Sequence, residues 1–156
     1  MKGEGFVYTV LVVDDSPLMR QFVGRALGMT GFKINVQEAG NGLEAMRLAQ
    51  SLLPDLIITD LNMPELNGEE LLTMLAEDSD LRSTPIIVLT AGGAKTRADI
   101  ALRHRSVAAC IQKPIRPEEL RRYLEHIFRP DSGAAASESR VDCEPVSNLE
   151  AGFQWN

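Results

Sequence analysis

Five polar residues that could share one chemistry stand at the ends of apolar runs in the sequence. They are Asp14 and Asp15 after residues 7–13, Asp60 after residues 56–59, Thr90 at the end of residues 85–90, and Lys113 after residues 108–112. Asp60 poses the sharpest problem, because a carboxylate at the edge of an apolar core is costly unless a charged partner meets it there. Acids combined with a hydroxyl and an ammonium are the groups that bind a metal and handle a phosphoryl group.

The apolar runs that precede these residues predict β-strands. VYTVLVV, LIIT and PIIVLT are continuously apolar, as strands are when helices cover both faces of their sheet. Weaker runs occupy residues 33–39 and 108–112. The set therefore predicts a parallel sheet.

The stretches between the runs carry the start and stop signals of helices. Ser16 followed by Pro17 is typical of an N-cap with proline in the first turn, and Asn41 caps a second helix that Pro54 ends. Three further helices are predicted: from about Gly68, from about Thr96 to Arg105, and from Pro117 to Phe128. The predicted buried face of the first helix consists of Phe22, Val23, Ala26 and Leu27. Strand and helix alternate five times, which predicts an α/β fold with helices on both faces of the sheet.

A parallel sheet brings the five polar residues to one place. The carboxyl ends of parallel strands meet at one edge, where the ligands of open α/β sheets bind. Three carboxylates this close repel one another, and a hard divalent cation with oxygen ligands, for which Mg²⁺ is the best candidate, removes the repulsion. With the metal and Lys113 offsetting the incoming charge, Asp60 could form an aspartyl phosphate, to which Thr90 could donate a hydrogen bond.

Composition excludes several classes of protein. At 156 residues, 44% of them apolar, the chain suits one domain with a tail, and it has no apolar run of about 18 residues that could span a bilayer. The N-terminus lacks the apolar region of a signal peptide, so a cytoplasmic location is expected. Cys110 and Cys143 lie far apart without ligand neighbours, which argues against a disulfide framework or a zinc site. The net charge of -6 argues against a nucleic-acid-binding surface.

Four segments of the sequence contain the polar residues. They are VLVVDDSPLMR at 10–20, LIITDLNMPELNG at 56–68, IIVLTA at 86–91 and IQKP at 111–114. In this order and at these spacings they resemble the receiver domain of bacterial two-component response regulators, and the combination is specific although each segment alone is weak. The resemblance implies a flavodoxin-like (βα)5 fold with strand order 2-1-3-4-5. Residues 1–129 would be the receiver domain, and residues 130–156 an acidic tail expected to lack order.

The resemblance also implies how the acids work. Asp60 would be the phosphoacceptor, loaded from a histidine kinase or a histidine phosphotransfer protein. Asp15 and Asp60 would bind Mg²⁺ directly, together with the backbone carbonyl of Asn62. Asp14 would act mainly through metal-bound water. The acids would thus bind the metal, and the bound metal would allow Asp60 to be phosphorylated.

The remaining implied roles fall on the last two strands. Thr90 would be the switch hydroxyl and Lys113 the partner of the phosphate, with a cis bond between Lys113 and Pro114. Three residues before this lysine, receivers commonly carry Tyr or Phe, but this chain has Cys110. Because a thiol is small, we expect the usual aromatic coupling to the output surface to be weakened or replaced.

Two further positions depart from the usual receiver pattern. Ser106 stands where a glycine usually ends the fourth helix, and a left-handed cap at a residue other than glycine costs on the order of 1 kcal/mol. We therefore expect that helix end to be rearranged or mobile. Gly92 and Asn62, each two residues beyond a site residue, occupy positions that tune dephosphorylation in the family. Gly92 offers no side chain to an attacking water.

The basic residues of the chain are concentrated in one segment. Residues 95–129 carry 9 Lys and Arg against 4 Asp and Glu, residues 1–94 carry 6 against 13, and residues 130–156 carry 1 against 5. In receivers the fourth helix, fifth strand and fifth helix usually form the output surface. Its basic candidates here are Arg97, Arg103, His104, Arg105, Arg121, Arg122 and His126. We expect this surface to dock an acidic partner or the chain's own tail, whose aromatic residues are Phe153 and Trp155, with a generic solvated face as the alternative.

The sequence as a whole predicts a stand-alone phosphorylation switch rather than an enzyme. The 26 residues after Pro130 are too few for a DNA-binding or catalytic module. The expected partners are a histidine kinase or phosphotransfer protein and a downstream protein, with no nucleic acid and no membrane. The chain would be a monomer or a phosphorylation-dependent dimer. Two alternatives stay open: a receiver-like scaffold that acts without phosphorylation, and an aspartyl-phosphate phosphatase, which Asn62 disfavours because such enzymes carry a general acid there.

Overall fold

The computed structural model describes residues 5–63 and 67–128, so the predictions for residues 130–156 lie outside the described residues. Its strands are β1 (Tyr8–Val13), β2 (Ile34–Ala39), β3 (Leu56–Asp60), β4 (Ile86–Thr90) and β5 (Val107–Gln112). Its helices are α1 (Pro17–Gly28), α2 (Gly42–Leu52), α3 (Gly68–Glu77), α4 (Ala94–Arg103) and α5 (Pro117–Phe128). None of these helices, in the part of the chain described, has the length and apolar character needed to cross a membrane.

The strands form one parallel sheet in the order β2-β1-β3-β4-β5. This is the predicted flavodoxin-like arrangement, and it is confirmed. β3 lies at the centre, and all five of its residues are buried. The continuous apolar runs are explained by this position, because both faces of an inner strand pack against helices.

Alternate strand residues pack into two cores on opposite faces of the sheet. Val10 and Ile58 belong to the core that α1 and α5 cover. Leu11 and Ile57 belong to the core that α2, α3 and α4 cover. Side chains of successive strand residues point to opposite faces, so each inner strand contributes to both cores. The prediction of helices on both faces is confirmed.

Side-chain caps explain where three of the helices begin. The Ser16 hydroxyl accepts a hydrogen bond from the Met19 backbone N–H at 3.2 Å, and the Asn41 side chain accepts one from Glu44 N–H at 2.8 Å. Both predicted N-caps are confirmed. α3 begins with a capping box, in which Asn67 and Glu70 each accept from the other's backbone N–H at 3.0 Å.

Two details differ from the prediction. Phe22 was expected to face the core but is 42% exposed, whereas Val23, Ala26 and Leu27 are buried. α4 begins and ends two residues earlier than expected, with Gly93 at its N-cap position. Ser106 is not a strained helix cap, because α4 has already ended at Arg103 and Ser106 leads directly into β5. Among the described residues other than glycine, positive φ occurs at Leu53, which ends α2.

Candidate functional site

The register of the sheet places two of the acids side by side. Val13 of β1 pairs with Thr59 of β3, so the residues that follow them, Asp14 and Asp60, leave the sheet next to each other. The buried strand β3 carries the Asp60 carboxylate to the centre of the sheet edge, where it is 5% exposed. The Asp14 backbone N–H donates to the Ala39 carbonyl at 3.1 Å and ties this edge to β2.

Three acids form one cluster at this edge. Carboxylate oxygens of Asp14, Asp15 and Asp60 all lie within 4.8 Å of one another, with Asp14 and Asp60 buried and Asp15 exposed. Burial is the main cause that raises the pKa of Asp14, and repulsion from the other two acids adds to the rise. The Ser16 backbone N–H, at 2.9 Å from Asp14 Oδ1, and Lys113 oppose the rise. The cluster therefore carries more negative charge than its surroundings offset.

Lys113 supplies the positive charge within the cluster. Its Nζ lies 3.1 Å from Asp60 Oδ1 and 4.0 Å from Asp14 Oδ2. Its backbone N–H donates to the Thr90 carbonyl at 2.9 Å, which fixes the start of the loop after β5. The bond between Lys113 and Pro114 is cis, as expected. One ammonium faces three carboxylates, so the balance of charge is negative.

The donor set fits a hard divalent cation. Asp14 Oδ2 and Asp60 Oδ1 are buried and have no hydrogen-bond partner among the described residues; Lys113 approaches Asp60 Oδ1 as an ion pair only. Buried carboxylate oxygens without partners are costly. Such oxygens are also the ligands that Mg²⁺ prefers. An ion bound here would offset the repulsion between the acids and would supply the contacts that these oxygens lack.

The loop after β3 approaches the site closely through Gly68. A Cβ at Gly68 would lie 2.5 Å from the Asp60 carbonyl oxygen and 2.5 Å from Leu61 Cα, both backbone atoms. Gly68 N–H also donates to the Leu61 carbonyl at 2.9 Å. The glycine of the second segment is therefore required by close approach. Asn62 lies in the same loop and is exposed.

Thr90 ends β4 next to the acids. It is 2% exposed, and its hydroxyl oxygen accepts a hydrogen bond from the Gly92 backbone N–H at 2.9 Å. Because the hydroxyl accepts this bond, its own proton can be donated to another acceptor. Thr90 pairs with Gln112 across the sheet, so the loop that carries Lys113 begins beside it.

Arg20 is a site neighbour to which the sequence analysis assigned no role. Its Nη1 donates to the Asp14 carbonyl at 2.6 Å, and its Nε donates to Glu38 Oε1 at 2.8 Å. These bonds hold the end of β1 against α1 and β2. A signal was present in the sequence, because Arg20 lies one helical turn after the predicted N-cap Ser16, near the start of α1.

The output surface is less basic than the sequence suggested. Arg97 is only 7% exposed, so its assignment as a docking residue is wrong. Arg103 binds Glu69 of α3 through both carboxylate oxygens at 2.6 and 3.3 Å, and His104 lies 3.5 Å from the same group. Arg103 is itself exposed, and the basic candidates that are exposed without this ion pair to α3 are Arg105, Arg121, Arg122 and His126. Cys110 is buried.

Comparison with known proteins identifies the family. Residues 10–125 match the family described as response regulator receiver domain. Chemotaxis protein CheY1 of Helicobacter pylori is 38% identical over 120 residues, covering 76% of this chain and 95% of that protein. The chemotaxis protein CheY homolog of Campylobacter jejuni is 37% identical over 130 residues, covering 83% and 98%. The structure of chemotaxis response regulator CheY4 of Vibrio cholerae has a TM-score of 0.67 and 31% identity, covering 78% of this chain and 99% of that chain.

The chain therefore belongs to the response regulator receiver domain family, and its relatives include CheY proteins. Receiver domains of this kind are signalling switches under the control of phosphorylation rather than classical enzymes. They bind Mg²⁺ at an acidic pocket, and the cluster of Asp14, Asp15 and Asp60 could hold such an ion. The family predicted from the four segments is confirmed, whereas the roles of single site residues stay a prediction.

Proposed function

We propose that the chain is a switch in which Asp60 accepts a phosphoryl group from a phosphohistidine and thereby changes the surface formed by α4, β5 and α5. The donor would be a histidine kinase or a histidine phosphotransfer protein. The observation that carries the proposal is a pair of buried oxygens beside the ammonium of Lys113, Asp14 Oδ2 and Asp60 Oδ1, for which residues 5–63 and 67–128 provide no hydrogen-bond partner. Such a cluster favours the entry of further positive charge.

The first role of the site is to hold Mg²⁺. When bound, the ion would neutralise the acids and the oxygens of the incoming phosphoryl group. Asp15 and Asp60 would supply carboxylate ligands and Asn62 its backbone carbonyl, while Asp14 would act through a water molecule. The carboxylate oxygens of the three acids lie within 4.8 Å of one another, which is close enough for them to share one ion.

Transfer then takes place at the Asp60 carboxylate. One of its oxygens attacks phosphorus opposite the imidazole, so that a P–O bond forms while the P–N bond breaks. The imidazole leaves with the electron pair of that bond and takes a proton from solvent. Lys113, 3.1 Å from Asp60 before transfer, offsets the charge that the phosphoryl group brings, and the Thr90 hydroxyl donates a hydrogen bond to a phosphoryl oxygen.

The output partner is proposed to be an acidic protein surface. The exposed side chains of Arg122 and His126 lie on α5 and that of Arg105 in the turn after α4, and Arg121 is exposed beside its ion-pair partner Glu125 at 3.2 Å. Exposed charges of this kind steer association and are screened by salt. The acidic residues 130–156 of the same chain are a second candidate for this surface.

The test is intact mass measurement after incubation of the full chain with Mg²⁺ and acetyl phosphate. The parent chain is expected to gain one phosphoryl group, and Asp60→Asn is expected to gain none, because an amide is not a nucleophile of this kind. Asp80→Asn, which removes an exposed acid far from the cluster, is the matched control and should behave as the parent.

Chelation of Mg²⁺ should abolish the adduct in the parent. An adduct that persists in Asp60→Asn would overturn the assignment of the phosphoacceptor. Rapid multiple turnover of a free phosphate ester would instead identify a phosphatase, although Asn62 has no acidic proton to give to a leaving group. A chain that binds its partner equally well with and without the adduct would identify a scaffold.

A further inference from the structure

A buried charged cluster lies between α4, β5 and α5, outside the proposed phosphorylation site. Arg97 of α4 and Glu119 of α5 are each only 7% exposed. β5 contributes Gln112, which is exposed at its end, and the buried Cys110, whose thiol donates to the Arg97 backbone carbonyl at 3.8 Å. Side chains that can be charged are rarely buried without a partner, so the contacts of this pair indicate its role.

The hydrogen bonds of the Arg97 guanidinium go to neutral acceptors. Its Nη1 donates to the Gln112 side-chain oxygen at 2.8 Å and to the Gly92 carbonyl at 3.4 Å. The second bond is long for an N–H donor. A carboxylate binds a guanidinium more strongly than a neutral carbonyl does. Arg97 is therefore held in an arrangement that a nearby carboxylate could replace.

Glu119 is the complementary group. Its Oε1 is buried and has no hydrogen-bond partner in the part of the chain described. Burial raises the pKa of Glu119 to about 7, and three cations oppose the rise: Arg122 of α5, Arg116 just before it, and Arg97 from α4. Within the described ranges, an acid without a hydrogen-bond partner and a cation with neutral acceptors thus lie close enough to influence each other.

Gly92 connects this cluster to the phosphorylation site. Its N–H donates to the Thr90 hydroxyl at 2.9 Å, and its carbonyl accepts from Arg97. A Cβ at Gly92 would lie 2.8 Å from Thr96 Cβ, so the loop is packed tightly on α4. If the Thr90 hydroxyl turns toward a phosphoryl group, Gly92 loses its acceptor. The long hydrogen bond from Arg97 to the Gly92 carbonyl is then the weakest of the hydrogen bonds that still hold this loop.

We propose that Arg97 is a positioning residue that exchanges Gly92 for Glu119 when Asp60 becomes phosphorylated. The exchange draws α4 and α5 together through a new ion pair, and so transmits the state of Thr90 to the output surface. It takes the place of an aromatic residue, which this chain lacks at Cys110. The inference rests on the proposed function, because a phosphoryl group must first draw the Thr90 hydroxyl away.

The exchange makes the ionisation of Glu119 depend on the state of the distant site. A guanidinium that arrives within hydrogen-bond distance favours the carboxylate and lowers the pKa of Glu119. By linkage, the phosphorylated arrangement is then favoured more strongly as the pH rises through the range in which Glu119 loses its proton. Phosphorylation and pH would thus act on the same pair of helices.

The experiment follows Glu119 directly by NMR in the full chain labelled with ¹³C at the glutamate carboxyl groups. The shift of Glu119, assigned with Glu119→Gln, is measured against pH with Mg²⁺ alone and with Mg²⁺ plus beryllofluoride, a mimic of the phosphoryl group. The acid dissociation constant of Glu119 is expected to rise about tenfold or more when the mimic binds. Glu118, exposed on the same helical turn, should titrate identically in both states.

Two arginine variants separate the role of Arg97 from a general effect of charge. Arg97→Gln should abolish the response of Glu119 to the mimic, whereas Arg105→Gln, which removes an exposed charge just beyond α4, should retain it. By the same linkage, the affinity for the mimic should depend on pH in the parent chain. Glu119→Gln should remove this pH dependence, and Glu118→Gln should keep it.

The outcomes distinguish this inference from the proposed function. If the mimic shifts the backbone resonances around Asp60 but Glu119 titrates unchanged, the exchange is overturned and the phosphorylation switch stands. If Arg97→Gln leaves the response intact, Arg97 is not the residue that carries it. If the mimic does not bind beside Asp60 at all, the proposed function fails and the exchange fails with it.

Discussion

Gly68 shows how a single residue without a side chain supports the chemistry of the site. The N-terminus of α3 approaches the end of β3 so closely that the backbone atoms of Asp60 and Leu61 occupy the space of a Cβ. Backbone atoms cannot move aside as the end of a flexible side chain can. A substitution there must displace Asp60 or the start of α3, and both belong to the site.

Gly68→Ala is therefore expected to lower the free energy of unfolding by about 2 kcal/mol and to slow phosphorylation by acetyl phosphate. Gly24→Ala is the matched control, because a Cβ at Gly24 meets nothing within 4 Å and alanine favours a helix interior by about 1 kcal/mol. Urea unfolding and the rate of adduct formation provide the two measurements. A Gly68→Ala chain as stable and as reactive as the parent would show that the loop can move away without cost.

Residue by residue, the sequence predicts the site better than it predicts the surface. Asp14 and Asp60 could be placed because each follows a continuous apolar run, and parallel strands end at the same edge. Arg97 could not, because a basic residue in a basic segment is normally solvated, and its burial depends on acceptors that only the folded loop provides. Gln112 and Gly92 are such acceptors, and neither has a signature in the sequence.

At the scale of elements, helix starts were predictable where a side chain does the capping. Ser16 and Asn41 mark the starts of α1 and α2. The N-cap position of α4 is Gly93, which has no side chain to cap the helix, and this explains why the predicted boundaries of α4 were misplaced by two residues. The strand order could not be deduced from the runs themselves, because it depends on which helices cross which face. It came from the resemblance to receivers.

A capping box begins α3, the helix whose first residue, Gly68, approaches the end of β3. Asn67→Ala removes an acceptor from the first turn and should lower the free energy of unfolding by about 1 kcal/mol. Asn67→Asp keeps the acceptor and adds charge that the helix N-terminus favours, so it should restore the loss. Thermal unfolding monitored by circular dichroism compares the three chains. Equal losses in Asn67→Ala and Asn67→Asp would contradict a role in capping.

At the scale of the whole molecule, an aromatic cluster closes the sheet at the end opposite the site. Phe128, the last residue of α5, stacks on Tyr8 of β1 with ring centroids 3.8 Å apart, and Phe32 meets both rings edge-on. The stacked rings thereby connect β1 to α5. Chemistry lies at one edge of the sheet and this cluster at the other, so stability and function can be changed separately.

This arrangement leads to a prediction about where the folded unit ends. Residues 5–63 and 67–128 already contain a sheet covered on both faces, so deletion of residues 131–156 should change the free energy of unfolding by less than about 0.5 kcal/mol. Phe128→Ala, a single substitution, should cost about 3 kcal/mol, because it removes a buried ring from the cluster.

Phe22→Ala is the control for the loss of a ring, since Phe22 is 42% exposed on α1 and should cost less than about 1 kcal/mol. Urea unfolding of the four chains ranks these effects under one condition. A deletion as costly as Phe128→Ala would mean that residues 131–156 pack on the sheet or its helices. In that case the acidic segment would be part of the receiver itself, and its proposed contact with the exposed arginines would have to be tested as a contact within the folded core.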